Sequence, residues 1–147
     1  AVADLMLRRP KSEVEDLDKA LWPLREAVDA YRERAARLEK RLEQRVAAGE
    51  IGGANLDAVN RSLIGLERAW IDPDGLPQRP WFRSLYASPA PDSGYAAWML
   101  PRLRHALERG SDDDRDSRIT EAVEAYLGVF ERLGERLDEI ESRLAAR

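Results

Sequence analysis

Three stretches of this chain set an apolar residue at alternating steps of three and four. A chain so patterned folds by packing long helices along their apolar stripes. The first stretch carries Val14, Leu17, Leu21, Leu24, Val28, Tyr31, Ala35, Leu38 and Leu42. Ser12 followed by Glu15 fits a capping box at its start, and Gly49, Gly52 and Gly53 mark its end. Pro23 interrupts the pattern. Lacking an N–H, it should kink this helix or split off a short first one. The second stretch begins near Asn55, a suitable N-cap, and runs to about Trp70 through Leu56, Val59, Leu63 and Leu66. The short join predicts an antiparallel hairpin of these two helices. The last stretch follows the acidic run Ser111 to Asp116, which suits the positive end of a helix dipole. It continues through Ile119, Val123, Tyr126, Phe130, Leu133, Leu137, Ile140 and Leu144. A shorter helix precedes it from Pro101 to Arg109, with Pro101 in its first turn and Leu103 and Leu107 facing inward. Period-two alternation persists nowhere, so no strand is expected.

The expected fold is therefore all-α. It is an elongated up-down four-helix bundle with a long irregular loop, rich in proline and aromatics, between helices 2 and 3. At 147 residues the chain suits one domain. Residues 11–147 read as that domain, and residues 1–10 as the remnant of a preceding domain or a linker, without the apolar region of a signal peptide.

The segment from Ile71 to Leu100 fits no plain bundle. It holds five of the eight prolines and five of the ten aromatics, Trp81, Phe82, Tyr86, Tyr95 and Trp98. Disordered segments are poor in aromatics, whereas prolines stiffen a chain and aromatics supply area to bury. The pattern describes a loop that packs on something. Two readings follow: Trp81, Phe82 and Tyr86 cap the open end of the bundle, or they form an interface. The stripes leave a matching choice. Three helices could satisfy them within one chain, or two bundles could share them.

Chemistry is sparse. The single histidine, His105, has no cysteine or second histidine to join it as a metal ligand. It reads as a surface or packing residue. Asp112, Asp113, Asp114 and Asp116 lack the ligand spacing, glycine and terminal Glu of a calcium loop. Pairs such as Glu121 and Glu124 occur on any charged helix. Gly52-Gly53 reads as a helix stop rather than a phosphate loop. A net charge of −4 without a basic stripe argues against nucleic acid. No apolar run reaches the roughly 20 residues of a membrane span.

Leu66 to Pro80 reads LERAWIDPDGLPQRP and continues through Trp81, Phe82 and Arg83 to Tyr86-Ala87. Tyr95-Ala96, Pro101 and Ala106-Leu107 follow. This stretch resembles the C-terminal helical domain shared by glutamate carboxypeptidase II and the transferrin receptor. The specific part covers about residues 63–107, and the flanking helices match in pattern and placement. The resemblance implies a transferrin receptor-like helical dimerisation domain over residues 11–147. It would follow a zinc peptidase-like domain and help close that domain's substrate pocket. It implies a homodimer, docking through Trp70, Trp81, Phe82, Arg83, Tyr86 and Trp98, and zinc only in the absent peptidase domain. It also implies that Tyr95 meets the substrate's terminal carboxylate. The lysine that accompanies this tyrosine in the peptidases is replaced by Gly94, so a strict preference for glutamate is not expected. An extracytoplasmic location, periplasmic or secreted, would suit the family.

Overall fold

The computed structural model describes the backbone of residues 11–51, 53–92, 94, 96–109 and 113–145, and their side chains except at 11–15 and 54. Within these residues the chain is mostly helical. It forms α1 (Lys11–Ala47), α2 (Gly53–Ile64), α3 (Pro101–Glu108) and α4 (Arg115–Ala145), with a 3₁₀ turn at Gly65–Trp70. Two strands, β1 (Ala87–Pro89) and β2 (Ala97–Met99), interrupt the helical pattern. The chain divides into two compact units. One comprises residues up to Arg25 with Trp70–Leu127, the other Glu26–Ala69 with the residues from Gly128 onward.

The second unit follows from the apolar stripes. Leu38 of α1, Val59 of α2 and Leu137, Ile140 and Leu144 of α4 form one buried cluster, with Tyr31, Ala35, Leu42, Leu63 and Leu66 packed against it. Across the polar surface of this unit, α1 and α4 are joined by the ion pairs Arg34–Asp138 and Arg41–Glu141. The stop of α1 is a Schellman motif around Gly49. Gly49 has φ +68°, its N–H donates to the Val46 carbonyl at 3.0 Å, and the Glu50 N–H donates to the Arg45 carbonyl at 2.9 Å. The second helix departs from expectation at both ends. It starts at Gly53, so Asn55 lies inside its first turn rather than at the cap. Past Ile64 it tightens into the 3₁₀ turn, where Gly65 weakens the α register. There the Arg132 guanidinium grips the Ala69 carbonyl through Nε and one terminal nitrogen at 3.2 and 2.9 Å.

The first unit begins with α1, in which Leu17, Leu21 and Leu24 are buried. Pro23 does not split this helix, which runs through it for 37 residues. The missing N–H deprives one turn of a bond, and the flanking leucines anchor the helix on either side. In α4, Ile119, Ala122, Val123 and Tyr126 are buried in the same unit. Pro101 takes the first position of α3, with Leu103 and Leu107 buried as expected. The capping box at Ser12 and Glu15 falls on side chains outside those described, and residues 1–10, Ser111 and Asp112 lie outside the described residues.

The two strands correct the expectation of none. They pair antiparallel, Ala87 with Met99, Ser88 with Trp98 and Pro89 with Ala97. Strands of three residues are too short to show an alternation in sequence. Burial does alternate, with Ser88 turned inward in β1 and Trp98 in β2.

Candidate docking face

The described residues from Trp70 to Leu100 belong to the first unit, and backbone hydrogen bonds cross-link them at several points. Ile71 bridges Ser84, and the Asp72 N–H donates to the Arg83 carbonyl at 2.8 Å. The Leu76 N–H donates to Phe82 at 2.9 Å, and the Leu85 N–H donates to Trp70 at 2.8 Å. The IDPDGLPQRP stretch is thus a tight double-back. Asp72 nucleates it by accepting the Asp74 N–H at 3.0 Å on its own carboxylate. Gly75 then turns with φ +74°, and a Cβ there would collide with the Pro80 backbone. The Asp72 carboxylate also receives Arg102 of α3 at 2.6 Å, with both side chains largely buried.

Two groups hold this double-back and the ribbon in place. The Tyr126 hydroxyl donates to the Leu85 carbonyl at 3.0 Å and accepts the Arg102 N–H at 3.2 Å. One phenol of α4 therefore satisfies a loop carbonyl and an orphan N–H at the start of α3. Burial pushes its ionisation far above that of an ordinary tyrosine. Arg79 donates to the Pro89 carbonyl at 2.8 Å and to Ser88 Oγ at 3.3 Å. Its guanidinium lies 5.2 Å from the Phe82 ring centre and 5.8 Å from that of Trp98. Arg104 lies 5.3 Å from the Trp98 ring.

The aromatics of this segment divide into two sets. Trp98 is only 5% exposed and packs inside the unit. Phe82 and Trp70 are half-buried. Trp81 is 69% and Tyr86 52% exposed, although both are large and apolar. Tyr86 stands edge-on to Trp70 at 5.3 Å, and Trp81 is tilted against Phe82 at 6.1 Å. Arg83 is exposed in the same segment. Exposed Ile71 and Met99 belong to the same segment and were not singled out from sequence. Ile71 follows Trp70, and Met99 pairs with Ala87 next to Tyr86. Exposed Trp22 on α1 was also missed. Its signal was available, since it falls between the stripe positions Leu21 and Leu24. The rigid backbone thus displays apolar side chains that the unit itself leaves uncovered.

The ribbon tip is closed by the Ala90 N–H donating to Ala96 at 2.8 Å and the Gly94 N–H donating to Ala90 at 2.9 Å. Gly94 has φ +70°, a conformation any side chain would strain. Tyr95, named from sequence for the substrate carboxylate, lies outside the described residues. Asp92 at the tip pairs with Arg109 at the end of α3. His105 lies one turn before Arg109, with its Nε2 buried and without a hydrogen bond among the described residues. Burial, followed by the charges of Arg109, Arg118 and Arg79, lowers its pKa below 6.5.

Among the described residues no three His, Cys, Asp or Glu side chains converge as metal ligands. No helix there is long and apolar enough to cross a membrane. A comparison with protein families gives a match over residues 13–143 to the one described as the transferrin receptor-like dimerisation domain.

Proposed function

Because the chain belongs to the transferrin receptor-like dimerisation domain family, we propose that it is the C-terminal dimerisation module of a glutamate carboxypeptidase-like zinc peptidase. In this reading two copies pair as a homodimer. The face bearing Trp81, Tyr86, Arg83 and Ile71 docks on the peptidase domain of the same protein and helps to close its substrate pocket. The observation that carries the docking is the exposure of Trp81 and Tyr86 on a backbone too well bonded to fold over and bury them. Exposed aromatics on a rigid frame bind at low entropic cost. The zinc belongs to the peptidase domain, since one histidine and no cysteine do not fit a zinc site here.

The ribbon tip is the part of the module assigned to substrate. Tyr95 would donate its hydroxyl to the substrate's terminal carboxylate. Gly94 offers no ammonium beside it, so the pocket would accept more than glutamate. Gly94 equally suits a second reading, in which the parent is a non-catalytic receptor or scaffold. A stand-alone helical adaptor is a third reading, and it would make the Trp70–Leu100 segment dispensable.

Zinc content and hydrolysis of peptides by the full-length protein separate the first two readings. In an active parent, Tyr95→Phe should lower kcat/KM. An unchanged value for every cleaved peptide would remove Tyr95 from the pocket. Trp81→Ala in the same protein should leave the module folded and loosen its docking, seen as faster proteolysis between the domains. Wild-type resistance would count against the docking face.

A further inference from the structure

The second unit carries an open groove of about 630 Å³, lined by Tyr31, Ala35 and Leu42 of α1, by Leu63 and Leu66, and by Leu137 at its floor. These α1 residues lie on the apolar stripe, yet only Leu38 between them is buried; Tyr31, Ala35 and Leu42 remain half-exposed. The stripe is therefore incompletely satisfied within its own unit.

The edge of the groove indicates what covers it. Along α1 it runs Arg32, Ala35, Ala36, Glu39 and Glu43, with Arg32 and Glu39 placed evenly about the two small residues. If a second α1 lies antiparallel across Ala35 and Ala36, Arg32 of each helix faces Glu39 of the other. The alanines let the axes approach closely. A parallel pairing in register would set Arg32 against Arg32. A two-fold axis thus turns this face into its own complement, as an isologous interface requires.

We infer that the groove and the α1 face beside it form the surface on which a second copy of this chain docks, with the two α1 helices antiparallel and Arg32 and Glu39 paired reciprocally. The inference rests on the dimer reading above and names its surface. The test is sedimentation equilibrium on the wild type, Arg32→Glu, Glu39→Arg and the double variant Arg32→Glu/Glu39→Arg, with helicity checked by circular dichroism. All the altered residues are exposed, so each variant should fold.

A dimeric wild type is expected. Each single reversal makes two repulsive pairs and should raise the dissociation constant about tenfold. The double variant, which restores opposite charges across the axis, should return to within about threefold of wild type. A wild type that stays monomeric at all concentrations overturns the dimer reading and this surface with it. A dimer indifferent to every variant overturns the surface alone. So does a dimer weakened by both single changes and not rescued by the double one.

Discussion

The two units reach order by different routes. In the second, five buried side chains on three helices, all leucine, isoleucine or valine, form the cluster. Each repeats what its neighbours do, and non-directional burial supplies most of the stability. In the first unit the Trp70–Leu100 segment depends on contacts that occur once: a phenol shared by a carbonyl and an N–H, a carboxylate on a guanidinium, and a glycine under a proline backbone. A repeated contact is graded and replaceable, whereas a singular one depends on its particular atoms. The contrast predicts how each region responds to change.

The largest loss is expected in the repeated region when volume is removed outright. Ile140→Ala, at a fully buried position, should cost about 4 kcal/mol in denaturant unfolding. Gly75→Ala in the first unit adds only a methyl, yet it meets both a positive φ and the Pro80 backbone. It should cost about 3 kcal/mol by the same measurement. Tyr126→Phe deletes one oxygen and leaves the Leu85 carbonyl and Arg102 N–H without that partner. A loss of about 2 kcal/mol is expected, together with faster amide exchange at Arg102. Leu137→Met keeps volume in the repeated region and should cost no more than about 1 kcal/mol. If Leu137→Met proves costlier than Tyr126→Phe, the contrast between the regions is broken.

The smallest effect concerns pH. The folded state lowers the His105 pKa below 6.5, so it resists a proton that the unfolded chain accepts. Stability contributed by the neutral imidazole is complete above about pH 6.5 and declines as the pH falls through that value. Thermal melts between pH 7.5 and 5 should fall slightly further for the wild type than for His105→Gln. Equal slopes would mean that neither burial nor the three arginines lowers the pKa of this ring.

The same contrast explains what could be read in the sequence. The stripes gave the long helices because a helix repeats its environment every turn, and a repeated environment leaves a repeated pattern. Gly49 and Pro101 were legible because each has one conformational use at a helix boundary. The end of the second helix was not, since the shift to a 3₁₀ turn depends on Arg132 meeting the Ala69 carbonyl across 63 residues. Nor was the β-ribbon, whose three-residue strands are set by pairing rather than by local preference. Aromatic content marked the docking segment, but not which rings turn inward. Trp98 is buried because two arginines and a strand partner enclose it. Trp81 stands outside the tight turn that Gly75 permits.

The shared phenol of Tyr126 also makes the protein its own alkaline indicator. Tyr126 is fully buried, and that burial holds its phenol far above the ordinary value. Tyr31 is held above its ordinary value by partial burial. As pH climbs past 10, the unfolded chain releases phenolic protons that the folded one retains, and stability drains away with each unit. Tyrosinate absorbance at 295 nm should therefore rise in stages. The last increment would wait until the hydroxyl between Leu85 and Arg102 is set free. That final step would report the opening of the first unit without any label.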